Sequence, residues 1–279
     1  MIPKVIHYFW FGRNPLPENV KVCIESWKKY CPDYEIKRWD EDNFDITQHP
    51  YCQEAYAAKK WAFVADYARL KVLYEHGGIY MDTDEEVVNS IDSLLKYRAF
   101  IGFESNEAIS AGMIGCSPRN EWMKALFRDY DKQHFRKRNG EFDQTTIVTR
   151  ITRVTTHKYK IKLNGEHQMF GDNMALLPVD YLCAKSYETG EICRTAHTLA
   201  IQHYNGSWLS DDDKKYLYQY YLYKKRFPWI YRCKGGRIML KLMAAYNPGG
   251  LDWLLRRSEN VDFFTYYLIH RSSSFLAGV

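Results

Sequence analysis

The 279-residue chain lacks most of the features that assign a protein quickly. No CxxC pair occurs among its seven cysteines (23, 31, 52, 116, 183, 193 and 233). Neither a zinc ribbon nor a disulfide framework is suggested, and a reducing compartment is the simplest reading. No uninterrupted apolar run reaches membrane-spanning length; the best, Ile238–Tyr246, is short and holds Lys241. The opening MIPKVIHYFWFG has no signal-peptide core or small-residue cleavage site. There is no internal repeat and no low-complexity linker. With 46% hydrophobic and 26% charged residues, global disorder is excluded.

Aromatic side chains are abundant, at 16%, with 23 Tyr and 8 Trp. A flat apolar face with a polar tip suits cores, sugar or base stacking, and membrane interfaces alike. Charge is unevenly placed. Residues 211–279 carry 12 Lys/Arg against 6 Asp/Glu, whereas residues 1–210 are nearly neutral. Residues 214–251 hold nine basic side chains and no acid, interleaved with Tyr, Phe and Trp. Such a stretch is either a helical extension that packs its aromatics on the body or a contact for an anionic membrane surface. Nucleic acid is not expected, because the body is not basic.

The opening alternates as a strand over 2–10, a helix over 17–30 with Val20, Ile24 and Trp27 on one stripe, and a strand over 34–39. This is the start of an α/β fold. A long helix is predicted over 55–76, stopped by Gly77-Gly78. A short buried strand, Ile79-Tyr80-Met81, follows and ends at Asp82-Thr83-Asp84-Glu85-Glu86. Strands are further expected over 100–103, 109–116 and 199–203, and helices over 121–130 and 142–152.

Asp82-Thr83-Asp84 is a DxD. Two carboxylates one residue apart, just past a strand end, can act on one hard cation such as Mg²⁺ or Mn²⁺. The plainer reading is an acidic surface turn. A phosphohydrolase DxDx[TV] is disfavoured because position 86 is Glu. Asp66 and Arg69, three apart on the preceding helix, are either a surface ion pair or a polar pair facing the pocket. Trp10 is either core or a stacking platform. His203 is either a satisfied core histidine or a third metal ligand.

Residues 6–12 (IHYFWFG) resemble the opening of family 32 glycosyltransferases. Ala65 through Arg69 and Tyr74 through Asp84 resemble that family's block ending in GGxYxDxD, and residues 203–208 (HYNGSW) resemble its close. The same blocks are similar to the glucosyltransferase domains of the large clostridial toxins and to the yeast initiating α-1,6-mannosyltransferase. The resemblance implies a GT-A fold: one Rossmann-like α/β domain with a mixed sheet over 1–210, here followed by a basic, aromatic helical extension over 211–279. It implies a retaining transfer of a hexose from a nucleotide sugar to a saccharide acceptor, as in bacterial members that build capsular polysaccharide. Carried over by position, Trp10 stacks on the base, and Asp66 and Arg69 contact the donor. Tyr80 lies by the nucleotide. Asp82, Asp84 and His203 surround the Mn²⁺ or Mg²⁺, and Ser207 and Trp208 approach the diphosphate. Fungal members carry Thr-Gly-Pro on the acceptor side; here that region reads Gly140 to Thr146, and Asp143 is the candidate catalytic acid. A UDP-sugar, galactose or glucose, is the expected donor, and the acceptor is expected to be lipid-linked. The expected location is cytoplasmic, peripheral on the membrane. The alternative is a catalytically degenerate sugar-nucleotide fold that binds membrane surfaces through its tail.

Overall fold

The computed structural model describes residues 1–187, 189–206, 209 and 211–229. It divides into two units, Met1–Trp208 and Leu209–Val279.

The first unit is a mixed α/β layer structure. In chain order it runs β1 (Val5–Phe9), α1 (Glu18–Tyr30), β2 (Glu35–Trp39), α2 (Pro50–Ala57), α3 (Trp61–His76), β3 (Gly78–Met81), β4 (Glu85–Val87), β5 (Ala99–Ser105) and β6 (Ala108–Cys116). There follow α4 (Glu121–Arg128), α5 (Ile147–Tyr159), β7 (Gln168–Phe170), β8 (Met174–Leu177), the single turn α6 (Val179–Leu182) and β9 (Ala200–Gln202). Seven strands form one sheet in the order β2-β1-β3-β6-β5-β8-β7, and β4 pairs antiparallel with β9 in a second, two-stranded sheet. Strands β2, β1 and β3 are parallel; β6 is antiparallel to both β3 and β5; β8 is parallel to β5. The carboxyl ends of β1, β2, β3, β5 and β8 therefore share one edge. The chain passes from β1 outward to β2 and then back across to β3. The β1/β3 boundary is thus the switch point where open α/β sheets present ligand crevices. This is the Rossmann-like, mixed-sheet layout that the resemblance implies.

Strand alternation distributes the core over both faces. Phe9, Tyr80, Ile101 and Phe103 face α3, α4 and α5 with Leu70, Trp122 and Phe135. Ile6, Tyr8, Ile79, Met81 and Phe100 face α1 with Val20, Ile24 and Trp27. The stripe expected on α1 is thus the buried one. Trp27 is fully buried and its indole N–H donates to the Glu85 carbonyl at 2.7 Å, while the Val87 N–H donates to Ser26 Oγ at 3.0 Å. Helix α1 therefore grips β4, the strand that follows the DxD.

Two local expectations are corrected. The single helix over 55–76 is two, broken at Ala58–Lys60, where Lys59 takes a left-handed φ of 56°. The helix expected over 142–152 is α5, which starts later because Thr146 caps it by accepting from the Thr149 N–H. Gly77 and Gly78 are both needed, with φ of 67° and 96°. A Cβ on Gly77 would stand 2.6 Å from the Pro118 ring, and one on Gly78 2.7 Å from His7 Nε2.

In the second unit, α7 spans Asp211–Arg226. Tyr218 and Leu222 are exposed, four residues apart on one helical stripe. The membrane-face residues expected beyond 229, Tyr231 to Lys241 among them, lie outside the described residues. Among the described residues no helix is long and apolar enough to cross a membrane.

Candidate functional site

Strand β3 is fastened from three sides. His7, on β1, donates through Nε2 to the Gly77 carbonyl at 3.0 Å, and its Nδ1 accepts from the Trp39 indole at 3.1 Å. Burial pushes its pKa down to about 4, so the ring is neutral at neutral pH. From β6, the Gly112 carbonyl accepts from the Asp82 N–H at 2.7 Å. From α3, Arg69 reaches across with its guanidinium 4.2 Å from the centre of the Tyr80 ring.

Arg69 is almost entirely buried. It donates to Asp66 Oδ1 at 2.8 Å and to the Ala111 carbonyl at 3.0 Å, and lies 3.2 Å from Asp82 Oδ1. The Asp66–Arg69 pair is therefore an interior one, not a solvated surface pair. Removing one partner of such a pair strands the other's charge and costs roughly 3–5 kcal/mol. Burial pushes Asp66 up to about 6 even against the opposing pull of Arg69. Tyr80 is buried, and its hydroxyl donates to the same Asp82 oxygen. Burial raises Asp82, with like charge on Asp84 adding to the effect and Arg69 opposing it.

Asp82 and Asp84 converge on one atom. Gln202, on β9, donates through Nε2 to Asp82 Oδ2 at 3.4 Å and to Asp84 Oδ1 at 3.1 Å. The Asn205 N–H donates to Asp84 Oδ2 at 2.8 Å, and the His203 N–H to the Asp84 carbonyl at 2.9 Å. The two carboxylates thus face a common, positively polarised group with hard oxygen donors. That donor set and convergence fit a shared Mg²⁺ or Mn²⁺.

Gln202 stands directly across from Glu85 in the β4–β9 pair. Glu85 is fully buried, and burial, then Asp82 and Asp84, raise its carboxyl well above its ordinary range. A Cβ on Gly112 would lie 2.6 Å from both Gln202 Oε1 and Glu85 Oε2, so only glycine lets these side chains close over β6.

Residues 17–101 match the family model described as the glycosyltransferase sugar-binding region containing DXD motif. The chain is 29% identical over 151 residues to inositol phosphoceramide mannosyltransferase 3 of Schizosaccharomyces pombe, covering 53% of this chain and 41% of that protein. It is 34% identical over 139 residues to the uncharacterized glycosyltransferase L373 of Acanthamoeba polyphaga mimivirus, covering 46% of this chain and 55% of that one. The chain therefore spans about half the length of these curated relatives. Among solved structures, the PaToxG glycosyltransferase superposes with a TM-score of 0.42 at 18% identity, over 56% of this chain and 69% of that one.

Of the expected site residues, the structure gathers Asp66, Arg69, Tyr80, Asp82 and Asp84 around the DXD strand. Trp10 lies at the end of β1, half-buried, with its indole N–H held by the Asn14 carbonyl at 2.7 Å. Arg69 stands behind Asp82, with its donors engaged by the protein. The ring of His203, expected beside the metal, meets Glu86. Strand alternation sends its ring away from Gln202 and toward Glu86, whose Oε2 lies 2.8 Å from Nε2. Among the described residues no three His, Cys, Asp or Glu side chains form a metal-holding group. Asp143, the expected catalytic residue, lies in the turn before α5. It is buried in an ion pair with Arg150, and its other oxygen caps Thr145 at 2.7 Å. Its carboxylate is consumed in anchoring the turn before α5. Ser207 and Trp208 lie outside the described residues. Sequence reasoning missed His7, Glu85, Gly112 and Gln202. Only the β4–β9 pairing, made across more than a hundred residues, could have pointed to Gln202.

Proposed function

We propose that the chain is a retaining hexosyltransferase that takes a nucleotide sugar as donor and a lipid-linked saccharide or glycolipid as acceptor. The observation that carries this reading is the convergence of Asp82 and Asp84 on a single point at the β1/β3 switch, beside Trp10. In it, Asp82 and Asp84 hold Mg²⁺ or Mn²⁺, and Trp10 presents its ring to the base. Tyr80 and Arg69 fix the Asp82 carboxylate from behind, and Gln202 spaces it from Asp84. When bound, the cation supplies charge neutralisation for the departing nucleoside diphosphate. Arg69 adds a fixed positive charge that needs no reorganisation during transfer.

Trp10 motivates a UDP-sugar, galactose or glucose. The names of the fungal relatives favour mannose. Binding of UDP and GDP with and without Mn²⁺, followed by turnover of UDP-galactose, UDP-glucose and GDP-mannose, tests both. Cation-independent binding or no turnover of any donor would overturn the reading. For a lipid-borne acceptor we place the protein peripherally on the cytoplasmic membrane face, through the basic, aromatic stretch that begins in α7. Exposed Tyr218 and Leu222 beside Lys215, Lys225 and Arg226 support that contact. Failure of the full chain to sediment with anionic vesicles at low salt would remove the membrane role.

A further inference from the structure

Strand β5 points the same way as β1 and β3 and ends at the same edge. Its penultimate residue is Glu104. The β5–β6 pairing loses register on both sides of Phe103: Ile101 pairs with Ile114, Phe103 with Ile109 and Ser105 with Ala108. Such irregularities re-aim side chains and recur beside active sites. Phe103 is fully buried in the core under α4 and α5, so alternation sends Glu104 to the opposite face. Gly102 shares that face, where its Cβ position would lie 3.2 Å from Leu182.

Glu104 stands within electrostatic reach of Asp82, Tyr187 and Tyr204. Tyr187 and Tyr204 pack edge to face, with ring centres 5.0 Å apart, and Tyr204 holds a left-handed φ of 56°. No hydrogen bond or ion pair engages the Glu104 carboxyl among the described residues. Burial, then Asp82, push it up to about 7. A half-buried carboxyl without a partner among the described residues, beside aromatic rings at the rim of a ligand crevice, has accepting capacity that a ligand can use. Its place in the sheet says which part of the ligand. Across the edge, Trp10 ends β1, Asp82 and Asp84 follow β3, and Glu104 ends β5 beyond β6. A donor laid base-to-sugar along this edge brings its hexose, and the acceptor that meets it, to Glu104.

We propose that Glu104 is a sugar-binding carboxylate, accepting hydrogen bonds from hexose hydroxyls on the far side of the diphosphate from Trp10. This rests on the glycosyltransferase reading. The hydroxyls belong to the donor hexose or to the acceptor, and the two sources separate by experiment. Glu104→Gln keeps the shape and removes a poorly solvated charge, so it folds; Glu104→Ala removes the acceptor atoms altogether. Three quantities are measured on the full chain with Mn²⁺: the affinity for UDP and GDP, the KM for the nucleotide sugar in its hydrolysis by water, and the KM for a panel of p-nitrophenyl hexosides as acceptors.

Loss of a charge-assisted hydrogen bond predicts a change of about tenfold or more. A rise in donor KM with unchanged nucleoside diphosphate affinity assigns Glu104 to the donor hexose. A rise confined to the hexoside KM assigns it to the acceptor. Both variants within twofold of wild type in all three quantities would overturn the assignment while leaving the glycosyltransferase reading intact. Weakening of nucleoside diphosphate binding to the same extent as sugar binding would also overturn it. A wild-type chain that binds neither UDP nor GDP would bring down the glycosyltransferase reading and this assignment together.

Discussion

Protonation of His7 should unfasten the strand that carries the DxD. The neutral ring has one tautomer that fits: Nε2–H donates to the Gly77 carbonyl and bare Nδ1 accepts from the Trp39 indole N–H. Adding a proton turns Nδ1 into a donor facing another donor. Burial, with His76 and Lys37 nearby, also opposes the charge, although the Gly77 carbonyl favours it. The folded value is therefore about 4, against 6.5 for a free histidine. In the folded protein the group is depressed, so its contribution is fully present above about pH 6.5 and is lost as pH falls toward 4. At about 1.4 kcal/mol per pH unit, that interval corresponds to about 3 kcal/mol.

The total stability curve is the wrong readout, because Asp66 and Glu104 are raised, to about 6 and about 7, and gain stability on acidification. The difference between wild type and His7→Gln isolates the term. In urea unfolding at pH 7, 6, 5 and 4, the wild-type advantage should shrink by about 3 kcal/mol. The ring proton resonances of His7 should not titrate above about pH 5. A difference independent of pH, or a His7 titration near 6.5, would refute the reasoning.

Three further outcomes are expected. Asp84→Asn should abolish turnover and cation-dependent nucleotide binding while leaving the melting temperature close to wild type, since Asp84 lies in a turn between strands; full activity in EDTA would remove the metal role. Gly112→Ala should lower stability by roughly 1–3 kcal/mol and also weaken cation-dependent binding, because the new methyl displaces Gln202 from the two carboxylates; calorimetry with and without Mn²⁺ reads both. Trp10→Ala should weaken nucleotide binding by roughly 1–3 kcal/mol if the ring stacks on the base, whereas a lower melting temperature with unchanged affinity per folded molecule would make it a core residue only.

The strands and helices that bury one clear face were legible in the sequence. The α1 stripe, the Gly-Gly stop and the carboxylates past β3 all follow from local spacing and backbone chemistry. The break between α2 and α3 was not, because the apolar pattern runs on through Ala57 and Ala58, and only the left-handed backbone at Lys59 ends it. Strand β4 was hidden inside what reads as an acidic turn. Its partner β9 lies more than a hundred residues away, and pairing decides which of two neighbours, Gln202 or His203, faces the DxD. A one-residue difference of that kind is beyond residue types alone, since alternation reverses the face at every step. The Asp143–Arg150 ion pair was hidden for a related reason: nothing local announces Arg150 as the partner of Asp143.

A bare DxD is weak in sequence because its two carboxylates do nothing until they are held at one separation and orientation. Here the holding groups are remote. His7 and Trp39 tie β1 and β2 to the turn before β3, Trp27 and Ser26 tie α1 to β4, and Arg69 and Tyr80 fix one oxygen of Asp82. Gln202 then spans the two acids from across the Gly112 gap. Each tie joins a buried polar atom to a main-chain, carboxylate or imidazole partner, so none can shift without leaving a polar group unpaired. The result is a pair of carboxylates fixed before any ligand arrives, as the proposed stabilisation of a leaving diphosphate requires. Among the family blocks, the His of the opening and the Gly-Gly before the DxD thus act on the same two strand ends, which is why the blocks together say more than the DxD says alone.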